Sequence, residues 1–287
     1  MMKSKRGDTG GDACARGGAG GRAKGAVLLS FDIEEFDLPR EHGGEISVER
    51  GVEVSSVGLS RVLEMLERTG VKATFFVTGN FAETAPELTR EILMRGHEVG
   101  CHGVDHFRPR KGDATRSMEK VGRVVDTPIY GYRQPRMFPI SYEELSKCGY
   151  LYDSSVNPAF IPGRYNHFDV PRRPFMRKGV VEVPTSVATG LRVPLFWLAL
   201  HLFPLSLYLT LCRVSLRETG YLATYFHPWE FSEIRGYSEV PFYIKCNSGE
   251  KLVRRLEKVV RALAADGYEF MTYREYVESY PSIAEIG

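Results

Sequence analysis

The chain has 287 residues, with 38 lysines and arginines against 36 aspartates and glutamates, a net charge of +2. The length suits one α/β barrel with a tail rather than two domains, and so small a net charge excludes a general affinity for nucleic acid. Five scattered cysteines, Cys14, Cys101, Cys148, Cys212 and Cys246, exclude a paired disulfide framework and a cysteine metal site, and point to a reducing compartment.

The predicted elements alternate along the chain. Residues 1–25 are rich in Gly, Ala and basic side chains without apolar periodicity, so a disordered tail is expected. The tail lacks the continuous apolar core of a secretion signal, which leads to a cytoplasmic expectation. Ala26 to Phe31 reads as a first strand, after which Ser55 or Ser56 caps a helix running to about Thr69 and Gly70 ends it. Lys72 to Val77, β-branched and aromatic, is a second strand. Pro86 suits the first turn of a helix ending near Gly96, and Val99 to Cys101 is a third strand. Asp113 caps a helix over Ala114 to Val125, and Ile129 to Tyr132 is the next strand. Ser141 and Glu144 have capping-box spacing before a helix to Lys147. Tyr150 to Asp153 and Val180 to Val183 read as strands, separated by an irregular loop rich in proline. Tyr221 to Phe226 and Glu269 to Thr272 complete the set, with a helix from Gly249 to Ala265 between them. Seven or eight strands alternating with helices predict a single α/β barrel over residues 26–287.

Chemically able residues follow four of these strands. Asp32, Glu34 and Glu35 end the first, His102 and His106 follow the third, Arg133 follows Tyr132, and His227 follows Phe226. In barrels of parallel strands the C-terminal strand ends converge on one mouth, so distant positions can share a site. Two histidines four apart sit on one side of a helical turn and can offer nitrogens to one metal ion. His97, before the third strand, reads as a capping or packing residue, and His42, His167 and His201 have no partner pattern and take the structural reading.

These pieces, in this order, resemble the polysaccharide deacetylases of the NodB-homology class (carbohydrate esterase family 4). The residues that carry the resemblance are Ser30 to Glu35, Gly96 to His106, Gly131 to Pro135, Tyr152 to Ser155 and Phe226 to Glu230. It implies a distorted barrel of about seven parallel strands and hydrolysis of an N-acyl or O-acyl group from a sugar. It also implies a divalent metal, zinc ahead of cobalt or another ion, on His102, His106 and one carboxylate of the first motif. Asp32 is then the general base, Arg133 its ion-pair partner, and His227 the acid that protonates the leaving group. Trp229 walls the acyl pocket, and Pro135, Glu230 and Arg108 are candidate substrate contacts.

The first motif departs from the family's adjacent aspartates, since Ile33 and two glutamates follow Asp32. Alternation along a strand puts Asp32 and Glu34 on one face, so Glu34 is the expected third ligand rather than Glu35. Residues 191–214 form an apolar insertion of membrane-span length interrupted by Pro194 and Pro204. Two outcomes are open for it: a helix pair covering the barrel, or an interfacial hairpin admitting the lipid tail of a lipid-linked sugar. The expectation is therefore a metal-dependent deacetylase of a cell-envelope glycan or its lipid-linked precursor, cytoplasmic or peripheral on the inner face of the membrane. Alternatives are a metal-independent cyclic amide hydrolase and a catalytically silent carbohydrate-binding protein.

Overall fold

Every residue from Ala26 to Ile33 is buried, because the first strand (β1) lies in the middle of a sheet covered on both faces. In the computed structural model, which describes residues 24–161, 165–188 and 190–279, ten further strands follow. These are β2 (Thr74–Val77), β3 (Glu98–Cys101), β4 (Gly131–Tyr132), β5 (Tyr152–Asp153), β6 (Phe160–Ile161), β7 (Tyr165–Asn166), β8 (Phe175–Arg177), β9 (Val180–Glu182), β10 (Tyr221–Phe226) and β11 (Glu269–Phe270). The main sheet runs β10-β1-β2-β3-β4-β5-β9-β8, with β11 also paired to β1. All of its pairings are parallel except β8 with β9, and β6 and β7 form a separate antiparallel pair.

The result is a curled half-barrel of mostly parallel strands, the class the alternation predicts. The edge strands β8 and β10 do not pair with each other, and the irregular chain that follows β9 reaches β10 instead. Ser186 donates its backbone N–H to Ala223 of β10 at 2.8 Å and accepts Ala223 N–H on its hydroxyl at 2.9 Å. The expected disordered tail lies outside the described residues except for Lys24 and Gly25.

Helices pack on the sheet through apolar faces. The helix Val48–Thr69 buries Leu59, Val62, Leu63, Met65 and Leu66, each contributing about 1.5–3 kcal/mol of transfer free energy before entropy is subtracted. It starts before the expected serines, because Ser47 caps it by accepting Arg50 N–H at 3.2 Å. Ser55 lies in the helix interior and donates its hydroxyl to the Glu34 carbonyl at 2.6 Å. Gly70 ends the helix in the left-handed region, as expected. Gly112, rather than Asp113, occupies the N-cap of the helix Asp113–Val125. The outer strands are shorter than their apolar runs, as at Tyr152–Asp153, where only two residues are in register with β4 and β9.

The apolar insertion folds into two helices, Trp197–Leu202 and Leu205–Thr219, broken at Pro204, which cannot donate a backbone hydrogen bond. Leu195, Ala199, Leu200, Tyr208 and Cys212 are buried against the barrel, while Leu202 and Leu207 stay exposed. Among the described residues no helix is long and apolar enough to cross a membrane.

Candidate active site

Parallel register brings the strand ends to one rim. Phe31 lies beside Phe226, Val77 beside Cys101, and Cys101 beside Tyr132, so Asp32, Glu34, His102, Arg133 and His227 leave the sheet together. A cleft of about 310 Å³ opens there, and Asp32, Glu34, His102, His106, His227 and Trp229 line it.

His102 and His106 are not on a helical turn. The segment after β3 is a loop, with Gly103 at φ +66°, a conformation that a side chain would strain. Two backbone bonds, Gly79 N–H to Gly103 O at 2.9 Å and Asn80 N–H to Val104 O at 3.0 Å, pin this loop. Asp105 accepts the backbone N–H groups of Phe107 and Arg108, a turn that local side-chain bonding stabilises. The loop nevertheless holds the two rings 5.7 Å apart and nearly parallel.

Each of these rings spends its Nδ1 on the protein. His102 Nδ1 faces the Arg133 carbonyl at 2.8 Å, and His106 Nδ1 faces Asp37 Oδ2 at 2.9 Å. Their Nε2 atoms converge on Glu34 Oε2, at 3.6 Å and 3.0 Å. Trp229 Nε1–H donates to the other oxygen of Glu34 at 2.9 Å. Glu34 Oε2 itself is buried and accepts no well-aligned hydrogen bond. A carboxylate oxygen left uncompensated between two imidazoles with fixed tautomers suits a divalent cation, and the Nδ1 partners are of the kind that orient metal-bound histidines. Glu34, His102 and His106 are the residues that would hold it.

Glu35 turns elsewhere. It accepts the Thr78 hydroxyl at 3.3 Å, and burial, with Asp105 and Glu34 nearby, pushes its carboxyl up to about 7. Burial works against the charge of Glu34 as well, but the charges of His106 and His227 and the close approach of the His102 and His106 rings hold it well below the usual carboxylate range. His106 is raised in return: burial opposes its proton, and Glu34 and Asp37 outweigh that opposition.

Behind Asp32 lies a fully buried arginine. Arg133 gives Nη1–H groups to Asp32 Oδ1 at 2.6 Å and Ser30 Oγ at 2.9 Å. Its Nε–H goes to the Ser154 carbonyl, and Nη2–H groups go to Ser154 Oγ and Tyr273 Oη. Five donors thus meet five acceptors, with the guanidinium carbon 4.2 Å over the Phe76 ring. Asp32 is fixed in position, with Oδ2 3.9 Å from His102 Nε2.

His227 stacks on Trp229, with centroids 4.9 Å apart, and its Nδ1 lies 2.8 Å from Glu230 Oε1. That bond leaves Nε2 for the cleft. Burial opposes protonation of His227, but the charges of Glu34, Glu230 and Asp32 and the Glu230 hydrogen bond raise its proton affinity above the ordinary value.

The expected substrate contacts fall differently. Trp229 lines the cleft. Glu230 does not: it is fully buried behind His227 and accepts both the His227 backbone N–H at 2.6 Å and the ring Nδ1–H. Pro135 is buried against Gly103, and Arg108 is an exposed side chain beside Phe107, outside the cleft. The basic residue at the cleft is Arg136, which ion-pairs with Glu41 and lies 3.6 Å from Asp37. Trp197, from the apolar insertion, is a second unforeseen lining residue. Asp153 is turned into the Ser155 hydroxyl and backbone at 2.7 Å and 3.1 Å, away from the cleft. His97 is buried and packs on Phe75, the packing outcome of the two expected for it.

Residues 22–138 match the sequence profile of the family described as polysaccharide deacetylase. A peptidoglycan deacetylase of Helicobacter pylori is 32% identical over 127 residues, 40% of this chain and 43% of that protein. The peptidoglycan-N-acetylglucosamine deacetylase PgdA of Listeria monocytogenes is 49% identical over 78 residues, 27% of this chain and 16% of that protein. The chain thus spans less than half the length of these curated relatives. Among solved structures, one from Mycobacterium smegmatis, provisionally assigned as a polysaccharide deacetylase, superposes with a TM-score of 0.62 at 20% identity, covering 92% of this chain and 94% of that one. The PuuE allantoinase superposes with a TM-score of 0.63 at 13% identity over 91% of each chain. So similar a fold on a protein named as an allantoinase shows that architecture alone does not select the substrate.

Proposed function

We propose, from the match of residues 22–138 to the polysaccharide deacetylase family, that this chain is a metal-dependent hydrolase removing an N-acetyl or other acyl group from a cell-envelope sugar. The observation that carries this reading is one cleft holding an Arg133-anchored Asp32, the Glu34–His102–His106 cluster and a Glu230-bound His227. Glu34, His102 and His106 would hold a divalent ion, which would supply Lewis-acid polarisation and would lower the pKa of water toward about 7.

The chain's own residues do the rest. Asp32, held by Arg133, takes the proton from the attacking water at Oδ2, the oxygen that Arg133 leaves free. His227 carries a proton on Nε2 into the cleft and delivers it to the departing nitrogen, its Nδ1–H remaining on Glu230. Trp229 and Trp197 wall the cleft and narrow water access to the acyl group. The proposed substrate is an N-acetylated glycan or its lipid-linked precursor reached from the cytoplasmic side, the exposed Leu202 and Leu207 of the insertion being apolar surface that can meet a lipid tail.

Acetate release from a panel of N-acetylated glycans and lipid-linked sugars tests the reading. Activity should be lost with chelator, return with zinc or cobalt, and fall by roughly a hundredfold or more in Asp32→Asn. Release that is indifferent to both chelator and Asp32→Asn rejects it.

A further inference from the structure

His201 lies in the short helix Trp197–Leu202, 26 residues before His227 in sequence, and is almost wholly buried. Its Nε2 is 2.9 Å from Glu230 Oε2, the oxygen that His227 does not use. Glu230 thus bridges two imidazoles, with Oε1 on His227 Nδ1 at 2.8 Å and Oε2 on His201 Nε2. The same helix presents Trp197 edge-on to the His227 ring at 5.6 Å, so one helical turn contacts the acid both directly and through Glu230. This turn is anchored from outside: Arg255 donates to the Leu200 and Phe203 carbonyls at 3.1 Å and 2.6 Å, and Asn247 donates to the His201 carbonyl at 2.5 Å.

We propose that His201 is a positioning residue for the acid: its Nε2–H fixes the Glu230 carboxylate, and Glu230 fixes the tautomer and ring plane of His227. The proposal rests on the reading of His227 as the acid. Its physical basis is accounting for a buried carboxylate. Glu230 is fully buried, and its Oε1 already accepts two bonds from His227. Without His201, Oε2 has no protein donor among the described residues, and a buried oxygen left bare is expensive enough to rotate the group toward any available donor. Rotation of Glu230 takes Oε1 off the His227 ring. The apolar insertion therefore reaches the chemistry through a hydrogen-bonded chain as well as by forming a wall.

A double-mutant cycle tests this assignment. His201→Leu keeps an apolar side chain of moderate size and removes the donor, whereas His201→Gln returns an amide N–H at the reach of Nε2. In an otherwise unchanged chain, His201→Leu should lower kcat by about tenfold or more with KM little changed, and His201→Gln should restore most of that rate. In a His227→Ala background, His201→Leu should cost nothing further in kcat, because the residue acts only through His227. An equal loss in both backgrounds, with a lowered Tm, would mean a purely structural role and overturn the proposal; so would a His201→Leu rate equal to the parent's. A second readout needs no substrate. The proton NMR signal of His227 Nδ1–H, identified by its disappearance in His227→Ala, should shift in His201→Leu and return toward its position in His201→Gln. An unmoved signal also overturns the proposal. If the unchanged chain releases no acetate from any glycan, the functional reading fails, and the NMR comparison still decides the positioning role.

Discussion

Arg133 shows how much a single buried side chain decides. Its five donors are matched by Asp32, Ser30, Ser154 and Tyr273, so no shorter or differently shaped cation can satisfy them all. Arg133→Lys should keep a charge beside Asp32 yet lower kcat by roughly a hundredfold, because a base misplaced by an ångström loses its alignment with the water. Arg133→Met, which leaves Asp32 buried without its partner, should cost about 3–5 kcal/mol in chemical denaturation. Wild-type kcat in Arg133→Lys would remove the orienting role. The two adjacent glutamates make a second test at this scale. Glu34 faces both imidazoles while Glu35 accepts Thr78, so Glu34→Ala should abolish stoichiometric binding of zinc and Glu35→Ala should retain it. Titration by calorimetry or atomic absorption distinguishes them, and the reverse result transfers the ligand to Glu35. Strand alternation made Glu34 legible in the sequence. Glu230 was legible only as a residue of the motif, because its inward orientation depends on the 3₁₀ turn Pro228–Phe231 folding it back beneath His227.

At the scale of elements, the packing of the helix Val48–Thr69 against that turn is what seats the acid. Gly58 is the close approach: a Cβ there would lie 1.7 Å from the Pro228 carbonyl oxygen. Neither the helix nor the turn can yield without moving His227 or Ser232, whose hydroxyl donates to Val54 O at 2.5 Å. Gly58→Ala should therefore destabilise the fold by about 1–3 kcal/mol and lower kcat as well, although the residue touches no substrate. Thermal unfolding and acetate release measured together check this, and an unchanged Tm with unchanged kcat would contradict it. The helix itself was readable from its apolar period and from Gly70. Its start was not, because Ser47, Ser55 and Ser56 are equally good local caps and only the contact of Ser55 with Glu34 O assigns Ser55 to the interior. The loop from His102 to His106 carries the same lesson. A four-residue spacing suits a helix, but Gly103 and the bonds from residues 79 and 80 hold the rings parallel without one.

For the whole molecule, acid stability follows from a buried imidazole remote from the cleft. Burial, with Lys72 and Arg95 nearby, pushes His97 from its ordinary 6.5 down to about 4. Between those values the unfolded chain takes up a proton that the native His97 refuses, so this contribution is present in full above pH 6.5 and is lost as pH falls toward 4. His97→Gln should flatten the decline in urea-unfolding free energy between pH 7 and 4.5, and an identical slope in both proteins would exclude His97 as a source. The sequence alone determined the alternation of strands and helices and the identity of the residues at four strand ends, because periodicity and strand termini are local properties of the chain. Tertiary structure decided the half-barrel left open between its edge strands β8 and β10 and the entry of Trp197 and Arg136 into the cleft. It also decided the exclusion of Arg108 and Pro135 and the bridge from His201 through Glu230 to His227. Each of these depends on where a side chain points once segments far apart in sequence have packed, and no local pattern encodes that direction.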